Sequence, residues 1–174
     1  MKILQSPTEL SSMRLSSYEK ACNVFVFLAG GITDCPPWQD KVIKKLEELE
    51  GIFDLSKLII INPRRQEWDM EDPNAIVEQI KWEHKYLEMC DIVSYFFSNS
   101  ESLQPITLYE LGKWSNKKTS IVSVEKGYKR EKDVYIQTAL DGLCCGVYKE
   151  GDAIEQHART IAYVTANVAK SKRR

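Results

Sequence analysis

Cys90-Asp91-Ile92-Val93-Ser94-Tyr95-Phe96-Phe97, continued by Ser98-Asn99-Ser100-Glu101-Ser102-Leu103-Gln104-Pro105-Ile106-Thr107-Leu108-Tyr109-Glu110-Leu111-Gly112-Lys113-Trp114, is the stretch whose reading decides the fold. Its first part is apolar, β-branched and aromatic beyond the Asp, the profile of a strand buried on both faces. Its second part opens polar and turns helical at Pro105, a residue suited to a first helical turn. Strand, loop and helix in that order form half of a βαβ unit. In a parallel sheet such a loop lies at the carboxyl ends of the strands, where open α/β folds place their ligand sites. Asp91 and Glu110 are therefore the first carboxylates to consider, and the reading allows them to share one cleft.

Working outward, Val24-Phe25-Val26-Phe27-Leu28-Ala29 is a continuous apolar run ended by Gly30-Gly31, a central strand entering a tight turn. Val42, Ile43, Leu46 and Leu49 recur at helical spacing and predict a helix over Trp38 to Glu50. Leu58-Ile59-Ile60-Ile61 is a second buried strand, ended by the loop Asn62-Pro63-Arg64-Arg65 because Pro63 cannot continue a central ladder. Asp72-Pro73-Asn74 starts a helix reaching Met89, with Ile76, Ile80 and Leu87 on its expected buried side. Ser120 to Val124 gives a fourth strand, Val134 to Leu140 a short helix, Leu143 to Tyr148 a fifth strand, and Asp152 to Ala169 an amphipathic helix. Five strands alternating with helices predict a three-layer α/β fold with a parallel sheet. The expected core includes Val24, Val26, Leu28, Ile59, Ile61, Ile92, Val93, Ile121 and Val122. Residues 1–23 read as an arm, 24–169 as one domain and 170–174 as a basic tail.

A chain of 174 residues with 43% hydrophobic and 28% charged residues suits a single core. The net charge of −1 offers no global attraction for nucleic acid or an anionic membrane. No apolar run approaches the roughly 18 residues of a membrane span. Cys22, Cys35, Cys90, Cys144 and Cys145 lack paired metal spacing and fit reduced thiols in a cytoplasmic protein. His84 and His157 are too far apart in sequence, and too poorly accompanied, to predict a metal site.

Several residues can carry chemistry. Gly30 and Gly31 allow close backbone approach and offer amides to a ligand, although a plain turn explains them equally. Neither the dinucleotide fingerprint nor the P-loop is present. Asn62, Arg64 and Arg65 offer an amide and two guanidinium groups at a strand's carboxyl end, for hydroxyls or an anion; a salt-bridged loop is the alternative. Trp82 offers a flat surface for a base, or packs beneath a loop, and Glu83 lies one turn beyond Gln79. Glu110, about one turn into its helix, is expected to be ionised by the helix dipole and so able to act as a nucleophile, with Asp91 orienting or protonating the substrate. Otherwise Asp91 caps its loop and Glu110 pairs with Lys113.

The ordered set Val26-Phe27-Leu28-Ala29-Gly30-Gly31-Ile32, Asn62-Pro63-Arg64-Arg65, Gln79 with Trp82-Glu83, Asp91-Ile92 and Ile106-Thr107-Leu108-Tyr109-Glu110-Leu111-Gly112 resembles the nucleoside 2-deoxyribosyltransferase-like proteins. The resemblance covers Val24 to Lys126 and implies a sheet of flavodoxin-like order. It also implies that Glu110 attacks the anomeric carbon of a sugar, that Asp91 lies near base or sugar, and that no metal or organic cofactor takes part. The substrate it implies is a 2-deoxynucleoside or related nucleotide, whose N-glycosidic bond is cleaved with transfer to another base or to water. It implies homo-oligomers that complete one another's sites. The chain departs from the family at Gln104, six positions before Glu110, where many members carry an acid. Gln104 can still hydrogen-bond a substrate but cannot assist as an acid. Two other readings remain open: a nucleotide-binding module without turnover, and cleavage of the nicotinamide bond of NAD.

Overall fold

The computed structural model describes residues 1–67 and 72–172. Its strands are β1 (Lys2–Gln5), β2 (Val24–Gly30), β3 (Leu58–Asn62), β4 (Ile92–Phe97), β5 (Thr119–Glu125) and β6 (Cys145–Tyr148). The helices are α1 (Ser17–Cys22), α2 (Trp38–Leu49), α3 (Ala75–Met89), α4 (Pro105–Trp114), α5 (Glu131–Leu140) and α6 (Ala153–Ser171). All strand pairs are parallel, in the order β1-β3-β2-β4-β5-β6. Leaving β1 aside, the five expected strands adopt the flavodoxin-like order in which the first strand lies between the second and third.

The sheet has six strands where the sequence predicts five, because the supposed arm supplies β1. Lys2-Ile3-Leu4-Gln5 is too short and too mixed in polarity to read as a core strand, but its Leu4 is fully buried and its backbone pairs with Ile59 to Asn62 of β3. At the other end α6 continues through Ser171 into the expected tail, whose residues 173–174 lie outside the described residues.

Alternating side chains divide the core into two layers, one on each face of the sheet. Val24, Val26, Leu28, Ile60, Ile92 and Ile121 pack against α2 and α6. Phe25, Phe27, Ile59, Ile61, Val93, Tyr95 and Val122 pack against α3, α4 and α5. Every residue of the expected core is buried. On α3 the expected face is wrong: Ile76 and Ile80 are 61% and 58% exposed, and the buried stripe is Ala75, Gln79, Trp82 and Tyr86 with Leu87. Trp82 and Tyr86 fill more volume against the sheet than two isoleucines, and the polar Gln79 disguises the stripe because hydrogen bonds satisfy it inside.

Asp91 immediately precedes β4, at the amino edge of the sheet. Its carboxylate accepts the Phe25 N–H at 2.8 Å and pairs with Lys172 at 2.7 Å, while Lys172 also donates to the Asn23 carbonyl at 2.8 Å. This latch ties the end of α6 to the starts of β2 and β4. Both side chains are about a quarter exposed, so the latch is worth more than a surface pair. Lys172→Met should lower unfolding free energy by about 1–2 kcal/mol in urea titration; an unchanged midpoint would show that the latch contributes nothing.

Candidate active site

Neighbouring strands β2 and β4 send their connections to opposite faces, and a crevice opens at their carboxyl ends as the topology requires. There the structure holds a cavity of about 750 Å³, ample for a nucleoside-sized ligand. Phe27 and residues 29–33 form its floor and one wall, Pro63 and Arg65 contribute from the loop after β3, and Ile76, Gln79 and Glu83 project from α3. Ser102, Gln104, Pro105, Ile106, Thr107 and Glu110 close the other side from the loop after β4 and the first turns of α4.

Two carboxyl groups line this one cavity. Glu110 is 9% exposed, and burial, with the nearby charge of Glu83 adding, pushes its pKa up to about 8; Lys113 opposes the shift. Burial likewise raises Glu83, against the hydrogen bond from Gln79 and the charge of Arg65. The expectation that the helix dipole keeps Glu110 ionised therefore fails: Glu110 is the sixth residue of α4, beyond the first turn where the dipole acts, and desolvation prevails. At neutral pH the pair holds a proton, with the stronger tendency to carry it on Glu110.

Glu83 is positioned by a saturated amide. Gln79 Nε2 donates to Glu83 Oε1 at 2.7 Å and to the Pro63 carbonyl at 2.8 Å. Gln79 Oε1 accepts from Arg65 Nε at 2.6 Å and from Ser6 Oγ at 2.7 Å. The spacing of Gln79 and Glu83 on one helical face was visible in sequence; Ser6, far away in the chain, was not.

Gln104 is a brace between two loops. It adopts a left-handed backbone conformation, φ 50°, ahead of Pro105. Its Oε1 accepts the Gly31 N–H at 3.0 Å, and its Nε2 donates to the Ser98 carbonyl at 2.9 Å. Gly31 therefore does not present its amide to a ligand, and its carbonyl accepts from Trp38 Nε1 at 3.1 Å. A side chain at Gly31 would strike Cys35 and Gln104, and one at Gly30 would strike Trp38 and the Phe96 carbonyl, so both glycines permit close packing at the cavity floor.

Other expected residues lie elsewhere. Asp91 is separated from the cavity by the length of β4, roughly 20 Å for six residues, so it does not share a cleft with Glu110. Arg64 donates to Gln39 Oε1 at 2.9 Å and to the Pro36 carbonyl at 3.1 Å, stitching down the loop before α2 outside the cavity lining. Asn62 is fully buried, donates to Gln5 Oε1 at 3.1 Å and accepts the Arg64 N–H, which makes it a turn and strand-pairing residue. Trp82 is 5% exposed, donates to the Thr8 carbonyl at 2.9 Å and packs on Tyr86 and Phe27, so its ring supports α3 and is unavailable to a base in the cavity. Among the described residues no helix is long and apolar enough to cross a membrane.

The profile of proteins described as nucleoside 2-deoxyribosyltransferase-like matches residues 23–128, which contain every cavity-lining residue. The chain belongs to the nucleoside 2-deoxyribosyltransferase-like family. Membership places it in a nucleoside-related enzyme family and agrees with the parallel sheet and its crevice. No curated protein matches the chain. Among solved structures it is similar to an NAD(P)H:quinone oxidoreductase from Methanothermobacter marburgensis, at 10% identity and a TM-score of 0.42, over 84% of this chain and 99% of that one.

Glu110 has a folded pKa above its unfolded value, so the stability it contributes is present below about pH 4.5 and is lost as pH rises toward about 8. Glu110→Gln, which cannot ionise, should therefore be more stable than the wild-type chain at pH 8, by on the order of 2 kcal/mol, and the gap should close in acid. Thermal melts of both proteins across that range check the sign; a gap that is constant with pH would contradict the burial of an ionisable Glu110.

Proposed function

We propose that the chain cleaves the N-glycosidic bond of a 2-deoxynucleoside or related nucleotide, with Glu110 as nucleophile and Glu83, in place of Asp91, as its acid and base partner. The observation that carries this reading is the pair of carboxyl groups sharing one cavity in a member of this family. Attack requires an ionised Glu110, so the resting proton passes to Glu83 when substrate binds, a transfer that works against the Gln79 N–H donor and the Arg65 charge and is driven by the positive charge developing on the sugar beside Glu110. A Glu110 oxygen then bonds the anomeric carbon as the bond to the base breaks through an oxocarbenium-like transition state. The departing base takes the proton from Glu83. In the second half an incoming base, or water, bonds the same carbon, returns a proton to Glu83 and frees Glu110. Apolar walls from Phe27, Ala29, Ile32 and Ile106 exclude water and strengthen these charge interactions.

Transfer is favoured over hydrolysis because the apolar lining suits an aromatic acceptor. Of the two arginines that could meet an anionic group such as a phosphate, only Arg65 lines the cavity, and it is already engaged by Gln79, which favours nucleosides over monophosphates. The Gln104 departure does not argue for lost turnover, since its side chain is committed to bracing Gly31 and Ser98 while both carboxyl groups remain. Exposed Ile76, Ile80, Leu103, Ile106 and Tyr109 belong to the helices and loop that flank the opening, an apolar rim consistent with self-association across the site.

Glu110→Gln should lower kcat/KM for base release by roughly 10³-fold or more. Glu83→Gln should cost roughly 10²–10⁴-fold, with partial recovery on nucleosides whose base leaves without a proton. Adding a second free base should yield a new nucleoside by chromatography. Retained turnover in Glu110→Gln would overturn the mechanism. Light scattering at micromolar concentration should report an assembly larger than a monomer; a strictly monomeric chain would contradict the reading of the rim.

A further inference from the structure

Residues 1–22 lie outside the stretch that identifies the family, yet they reach the catalytic cavity through one hydrogen-bonded chain. Ser6 follows β1 directly, is 3% exposed, and is fixed at the sheet edge by its N–H bond to the Asn62 carbonyl at 3.0 Å. Its hydroxyl donates to Gln79, and Gln79 donates to Glu83. The orientation of this amide follows from its neighbours: Arg65 Nε can only donate and the Pro63 carbonyl can only accept, so Oε1 faces Arg65 and Ser6, and Nε2 faces Pro63 and Glu83. A flipped amide would bring two oxygens together at Pro63 and two at Glu83.

We propose that Ser6 and Gln79 form a positioning relay that gives the two cavity carboxyl groups different roles, aiming a fixed N–H at Glu83 and leaving Glu110 without a matching donor. This rests on the functional reading above and names how that site is regulated from the N-terminal strand. A donor aimed at a carboxylate favours its charged form and fixes its rotamer. Glu110 has no such donor among the described residues, its shift arising from burial and neighbouring charge alone. The other charged groups bearing on the pair are Arg65, in the loop after β3 and beside Glu83, and Lys113, one turn beyond Glu110 on α4. Lys113 contacts neither Ser6 nor Gln79, and Arg65 keeps its Gln79 acceptor in Ser6→Ala; in Gln79→Met Arg65 loses that acceptor, so the Ser6 substitutions isolate the relay from the Arg65 charge. The relay also accounts for the burial of a glutamine in the middle of the α3 core stripe. A residue serving packing alone would there be apolar.

Glutamate carrying a carbon-13 carboxyl label, titrated by NMR in the Glu110→Gln background, reports Glu83 as a single transition without substrate. Gln79→Met should raise its midpoint by about one pH unit or more. Ser6→Ala should move it in the same direction by less, and Ser6→Thr, which keeps the hydroxyl, should restore it. An unmoved midpoint in Ser6→Ala and Gln79→Met would overturn the relay; if Gln79→Met does not fold, the Ser6→Ala result decides alone. In the chain with Glu110 intact, the same substitutions should displace the pH profile of base release. Absence of base release from the wild-type chain would refute the proposed reaction and leave the titration result standing, so the two failures are distinguishable.

Discussion

A parallel sheet leaves room for a ligand only where neighbouring strands send their connections to opposite faces, and in this chain that constraint acts between β2 and β4. The rest follows from filling the gap. β2 ends in two glycines because Trp38, Cys35 and Gln104 pack directly upon them. The loop after β4 is locked to β2 by Gln104, in a backbone conformation that costs a non-glycine residue roughly 1–2 kcal/mol and that its hydrogen bonds help to offset. Once that loop is fixed, Pro105 starts α4 and Glu110 enters the cavity on the second turn, with Tyr95 of β4 donating to the Glu110 carbonyl at 3.2 Å.

The proposed chemistry rests on an asymmetry between two like groups. Two carboxyls in a poorly solvated space cannot both carry charge cheaply, so they hold a proton between them. The group with a hydrogen-bond donor keeps the charge more readily, and here that is Glu83. On the proposed mechanism, a resting site of this kind already contains the proton that a departing base would require. In that mechanism substrate binding would redistribute it, turning the energetic cost of burying Glu110 into readiness for reaction.

Much of the fold was legible because each central strand is a continuous apolar run and each helix has a recognisable start. β1 was illegible because an edge strand of four residues buries little of itself and its assignment depends on β3, more than fifty residues away. Of the cavity lining, the positions of Glu110, Glu83 and the paired glycines were legible from motif and spacing. Asp91, Arg64, Asn62 and Trp82 were misplaced for a common reason: each is polar or amphipathic near a strand end or loop, where sequence cannot tell a side chain that faces a cavity from one that satisfies the backbone beside it. For Asp91 the direction of the strand settles the matter, since a residue that begins a strand lies at the edge opposite the ligand crevice. The Ser6 contribution joins residues 73 positions apart and leaves no local signal.

The central claim is that Glu110 becomes covalently bonded to the sugar, and intact-protein mass spectrometry after incubation with a 2-fluoro-2-deoxy nucleoside tests it most directly. Fluorine at that position destabilises the developing positive charge and slows both formation and breakdown of the ester, so the intermediate accumulates. The account predicts a mass increase equal to the fluorinated sugar, carried by the peptide containing Glu110 and absent from Glu110→Gln. Base release with no adduct on the protein, or an adduct on another residue that persists in Glu110→Gln, would contradict it.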